Sequence, residues 1–125
     1  MRKELKTENA PAAIGPFSQA IRAGDFVYVS GQLPIDPKTN QVVTDIKSAT
    51  EQIFKNITSI LESENLSLQN VIKVNVYLRD MNDFVAMNDV YKTFFDQPYP
   101  ARTTIQAARL PKDVIVEAEA VAYVR

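Results

Sequence analysis

The chain has 125 residues, 46% hydrophobic and 23% charged, with a net charge of −1 and a pI near 5.4. That composition fits one globular domain spanning 1–125 and leaves no electrostatic footprint for nucleic acid or an anionic membrane. Cysteine and histidine are both absent, which excludes disulfides, thiol nucleophiles, Ser-His triads and His/Cys metal sites and leaves acid–base chemistry to Asp, Glu, Lys, Tyr, backbone groups or water.

Met1 to Lys6 alternates charge without an apolar run, so it is not a signal peptide. No stretch reaches the length of a membrane span, and the expected location is the cytoplasm. Thr7 to Gly15 is a loop rich in Ala and Pro, closed by the turn signal Gly15-Pro16. Phe17 to Ile21 alternates well enough for a short strand, and Ala23-Gly24-Asp25 turns the chain into a second one over Phe26 to Ser30. That run is almost wholly apolar, as expected of a strand covered on both faces. Ser30-Gly31 ends it, either as a small polar niche or as a β-bulge glycine.

Asp36-Pro37 followed by Asn40 marks a hairpin-like excursion between Leu33 and Val43. Thr44-Asp45 can cap a helix, and Ile46, Ala49, Ile53, Ile57, Ile60 and Leu61 form its apolar stripe. The helix should stop near Glu64-Asn65. Positions 72, 74, 76 and 78 are Ile, Val, Val and Leu, whereas 73, 75, 77 and 79 are Lys, Asn, Tyr and Arg, the pattern of a half-buried strand. Phe84, Met87, Tyr91, Phe94 and Phe95 give a second helical stripe, ended by Gln97-Pro98. Asn88 follows that stripe and can edge toward a pocket, although a solvated Asn is the commoner outcome.

Pro98 to Thr104 is a stiff loop, because each proline fixes its own φ and restricts the residue before it. It delivers Arg102 into a strand over Thr103 to Ala107. A rigidly presented guanidinium suits a carboxylate or phosphate held bidentately; a surface ion pair is the plainer reading. Arg109 to Asp113 is a turn into a last strand, with Val114, Val116, Ala118, Ala120, Ala122 and Val124 on one face. The other face carries Ile115, Glu117, Glu119, Val121 and Tyr123. Arg102 and Glu117 are thus expected at the ends of neighbouring strands. Two modest helices cover one face of a sheet of about five strands, so the second face should be buried by self-association, with Glu117 near a subunit interface.

Four stretches give the chain a family likeness: Asn9 to Pro16, Val29 to Pro34, Pro100-Ala101-Arg102, and Ala108 to Asp113 followed by Val116-Glu117. In their order and spacing the chain resembles the RidA (YjgF-like) family of enamine/imine deaminases from end to end. The resemblance implies an α+β, chorismate-mutase-like single domain, a mixed β-sheet with two α-helices on one face, assembled as a homotrimer with sites at the subunit clefts. It also implies hydrolysis of 2-enamino and 2-imino acids such as 2-aminoacrylate to 2-keto acids and ammonia, with no cofactor; the composition itself points to no metal, no nucleic acid and no membrane. Arg102 stands at the position of the family's carboxylate-gripping arginine, and Glu117 at that of its water-positioning acid. Phe17, Ser30, Gly31, Asn88 and Thr104 match pocket positions. Phe17 replaces a tyrosine common among relatives, and Thr104 a cysteine. The alternative of the same fold is a non-catalytic regulatory protein that binds a small keto or amino acid. A ribonuclease role, also attached to the family, is disfavoured by the absent histidine and slightly acidic charge.

Overall fold

The protein is described by a computed structural model covering residues 1–125. Eight main elements follow one another as β1 (Arg2–Leu5), β2 (Ala20–Ala23), β3 (Phe26–Gln32), α1 (Ile46–Glu62), β4 (Val71–Leu78), α2 (Phe84–Tyr91), β5 (Ala101–Gln106) and β6 (Val116–Tyr123). The strands form one six-stranded sheet in the order β1-β2-β3-β6-β4-β5. All neighbours are antiparallel except β4 and β5, which run parallel because α2 carries the chain back between them.

Asp45 caps α1 by accepting from the Ser48 backbone N–H at 3.1 Å, and Ala49, Ile53, Ile57, Ile60 and Leu61 are fully buried against the sheet. Asn56 is also buried on this helix. Its side chain donates to the Ile35 carbonyl at 3.0 Å and accepts from Gln52 at 2.9 Å, tying the 33–43 excursion to α1. That excursion closes with an Ile35–Val42 bridge and places Asn40 at φ 62°, a conformation Asn tolerates better than most residues. On β6 the alternation is complete: Val116, Ala118, Ala120 and Ala122 are buried beneath the helices, while Glu117, Glu119, Val121 and Tyr123 face the other way. No helix is long and apolar enough to cross a membrane.

Several boundaries differ from the sequence expectation. Arg2–Leu5 is an edge strand, although only Leu5 of its four residues is buried. Residues 17–19 are not strand; the Gly15 turn, at φ 129°, extends to a Phe17 N–H···O=C Gly15 bond of 2.9 Å, and pairing starts at Ala20. Strand β3 is covered on one face only, since Tyr28 is 53% exposed and Phe26 lies beside it. The clean alternation of β4 fails at Ile72, which is 45% exposed. A register shift between Val71 and Lys73 turns Val71 inward in its place. Helix α2 ends at Tyr91, so Phe94 and Phe95 complete its stripe from the following turn. Strand β5 begins two residues earlier than expected, at Ala101.

The first two strands are pinned to the end of α1 by one carboxylate. Glu64 accepts from Lys3 at 2.8 Å and from Arg22 at 3.0 Å with its own side chain nearly buried. The Lys3 hydrogen bond, opposed by desolvation and joined by Arg22, holds the carboxyl below its ordinary range. A depressed folded pKa means stability present above the unfolded pKa and lost as pH falls through the folded one. Glu64→Gln therefore lowers unfolding free energy by about 1–2 kcal/mol at neutral pH in urea titrations. The gap to wild type narrows as the solution is acidified; a gap that does not change with pH contradicts the assignment.

Candidate active site

The expected site residues divide between the two faces of the sheet. On the helix-covered face, at the β5 edge, Arg102 Nη1 donates to Asn88 Oδ1 of α2 at 2.7 Å. The guanidinium carbon lies 4.6 Å from the Tyr91 ring centroid and 5.6 Å from that of Phe84. Thr104 shares the parity of Arg102 on β5, and its hydroxyl is buried without a hydrogen-bond partner. No ion pair of the chain involves Arg102, so the surface ion-pair reading does not describe it. Arg109, by contrast, is committed to Asp113 through a two-pronged bridge of 2.7 and 3.1 Å. Asn88 is not simply solvated, because its side chain orients the guanidinium.

Glu117 lies on the opposite, uncovered face. The correction to the sequence reading is topological: β4 sits between β5 and β6, so Arg102 and Glu117 are not on adjacent strands. Arg102 registers with Val74 and Glu117 with Tyr77, which are an odd number of positions apart on β4 and therefore point to opposite faces. Within one chain the guanidinium and the carboxylate cannot share a substrate.

Glu117 has company of its own. A Cβ built on Gly31 would stand 2.1 Å from Glu117 Oε2, so the bare glycine is what lets the carboxylate lie across β3. The bulge between Val29 and Gln32 sets this approach, so the niche and bulge readings of Ser30-Gly31 describe one feature. Ser30 Oγ donates to the Ser18 carbonyl at 2.6 Å and its N–H to the Gln19 carbonyl at 2.9 Å, fixing the segment that presents Phe17. Phe17 itself is 52% exposed.

Two carboxylates occupy this face, and the structure distinguishes them. Tyr77 donates its hydroxyl to Glu119, which pushes the phenol up to about 12. Glu117 has no hydrogen-bonding partner within the chain. Burial first, and the neighbouring Glu119 charge second, raise its pKa above the usual carboxylate range. A carboxylate so placed is free to accept a proton from water. Tyr77 was not singled out from sequence, because its hydroxyl reaches Glu119 across two strands. Gln19 was missed as well: it is buried, accepts from the Thr7 N–H at 2.8 Å and donates to the Thr7 and Pro11 carbonyls at 3.0 and 2.8 Å. It thereby folds the 7–11 loop back beside Phe17.

Gly31→Ala should leave the fold intact, because the conflicting atoms are the far end of a flexible side chain. It should displace the Glu117 carboxylate, and a reaction that uses this group would then slow about tenfold or more, since small misplacements of a reacting group are costly. Unchanged turnover with an intact melting curve would show that Glu117 is not held by this contact.

A family model described as Endoribonuclease L-PSP matches residues 7–124. A RutC family protein of Pyrococcus horikoshii is 55% identical over 124 residues, covering 98% of each chain. A Salmonella typhimurium protein named 2-iminobutanoate/2-iminopropanoate deaminase is 43% identical over 128 residues, covering 100% of each chain. Among solved structures, RidA from the Antarctic bacterium Psychrobacter sp. has a TM-score of 0.94 at 44% identity, covering 97% of this chain and 98% of that one. The likeness runs the full length of the chain in both sequence and fold: the chain belongs to the L-PSP endoribonuclease family, the family of the YjgF and RidA proteins.

Proposed function

We propose that the chain is an enamine/imine deaminase that hydrolyses 2-enamino and 2-imino acids, such as 2-aminoacrylate and its tautomer 2-iminopropanoate, to 2-keto acids and ammonia. One observation carries the reading: a guanidinium held only by neutral groups lies on one sheet face, and a partnerless carboxylate lies on the other. The name of the Salmonella relative agrees with it. Because the two groups point away from each other, a second copy completes the site. Arg102, Asn88 and Thr104 of one subunit face Glu117, Gly31, Ser30 and Phe17 of the next, in a homotrimer with three such clefts. Burial of the open sheet face, with its exposed Tyr28 and Ile105, supports the assembly.

In this site Arg102 grips the substrate carboxylate bidentately. An enamine first takes a proton at C3 to become the protonated imine. Water then adds to C2: the new C–O bond forms, the C=N pair moves to nitrogen, and Glu117 takes the water proton. Glu117 passes that proton to the amine, the C–N bond breaks with its pair on nitrogen, and the hydroxyl proton leaves with the departing ammonium. The hydroxyl oxygen remains as the keto oxygen.

The test supplies 2-aminoacrylate from a pyridoxal-phosphate lyase and follows ammonia release with and without the protein. Acceleration is expected. Binding of 2-oxobutanoate without acceleration would favour the non-catalytic regulatory reading instead. The word endoribonuclease in the family description finds less support, since the chain lacks histidine and carries a net charge of −1. The shared cleft has its own check. Arg102→Ala and Glu117→Gln chains, each inactive alone, regain about a quarter of wild-type activity when refolded together in equal amounts, because half the clefts draw an intact arginine and half of those an intact glutamate. No recovery in verified mixed oligomers would place both groups in one subunit's site.

A further inference from the structure

We infer that Tyr91 and Phe84 are positioning residues for Arg102: their rings form an aromatic seat that holds the guanidinium ready for a carboxylate without neutralising it. The inference rests on reading Arg102 as the carboxylate clamp. A half-buried arginine is ordinarily fixed by a carboxylate, and such a partner would compete with an anionic substrate. Here the fixing is done by neutral groups. The guanidinium carbon lies 4.6 Å from the Tyr91 centroid, within the range of a cation–π contact, and 5.6 Å from Phe84. Asn88 Oδ1 takes one N–H at 2.7 Å. An arginine carries five such donors, so most remain for a ligand.

The seat is itself rigid. Tyr91 is 5% exposed and packs against Phe54 at 5.3 Å, edge-on, and against Phe95 at 4.8 Å. Residues 84, 88 and 91 recur at helical spacing on α2, so one short helix supplies both rings and the Asn88 carbonyl. The ring, not the phenol, does this work. The Tyr91 hydroxyl is buried with no hydrogen-bond partner, so removing it costs the fold nothing it uses.

Calorimetric binding of 2-oxobutanoate to the full-length protein tests the seat separately from catalysis. Tyr91→Leu is expected to weaken binding about tenfold, and Phe84→Leu by a smaller factor. Tyr91→Phe, which keeps the ring, restores the lost affinity and leaves the melting temperature equal to or above wild type. In an Arg102→Lys background the Tyr91→Leu penalty shrinks, because the planar cation it acts through is gone. If Tyr91→Leu fails to fold, Phe84→Leu in both backgrounds gives the same cycle. Equal penalties with arginine and with lysine, or a Tyr91→Phe variant as weak as Tyr91→Leu, overturn the inference while leaving the deaminase reading intact. Wild-type protein that binds 2-oxobutanoate with the full cycle but does not accelerate imine hydrolysis overturns the deaminase reading and leaves the seat standing. Wild-type protein that binds no carboxylate overturns both.

Discussion

Arg102→Ala is expected to lower ammonia release from freshly generated 2-aminoacrylate by roughly 10²–10³-fold, to near the buffer rate. A bidentate charge-assisted pair contributes about 3–4 kcal/mol to binding and orientation, and each 1.4 kcal/mol is tenfold. The arginine joins no ion pair within the chain, so its removal leaves no buried charge behind. The cost to stability is the loss of one hydrogen bond and two aromatic contacts. Assembly state and melting curve should therefore stay close to wild type. Arg102→Lys, which keeps the charge but not the planar fork, should fall between the two. An alanine variant with wild-type rate would remove the clamp from the mechanism.

Glu117→Gln should cost roughly 10²–10³-fold in turnover while leaving 2-oxobutanoate binding nearly unchanged, because in the proposed reaction Glu117 acts on water rather than on the carboxylate. In the wild type, burial and the Glu119 charge raise the Glu117 pKa. The acid limb of its rate profile should then lie above the ordinary carboxylate range, with activity lost as pH falls through it. Removing the neighbouring charge with Glu119→Gln should move that limb to lower pH. The same shift has an opposite consequence for stability. A raised folded pKa gives a contribution that is full below the unfolded pKa and lost as pH rises through the folded one. Glu117→Gln should accordingly be more stable than wild type at neutral pH, the mark of a group held for reaction rather than for folding. A glutamine variant that is both slow and less stable would point to a structural role.

Much of this architecture was written locally. The α1 stripe, the Asp45 cap and the alternation of β6 follow from periods of 3.6 and 2, which neighbouring residues enforce on each other. The edge strand β1 was not legible, because three of its four residues are exposed and its pairing with β2 is a long-range event. Ile72 misled for a related reason: a bulge against β6 inverts which residue of β4 points inward, and nothing in β4 itself announces it. The candidate chemistry was legible as residue types and family likeness, in Arg102 and Glu117 above all.

By itself the sequence determined the chemical inventory: no histidine, no cysteine, one arginine on a stiff approach and two carboxylates on an amphipathic last strand. Only the tertiary structure decided how these groups face one another. Strand order depends on pairings between segments far apart in the chain, and here β6 inserts between β3 and β4 and leaves β5 at the far edge. Side chains alternate faces with every residue, so that order puts Arg102 under α2 and Glu117 on the open face. The two groups expected to meet at adjacent strand ends are kept apart within one chain by the pleat of the sheet between them.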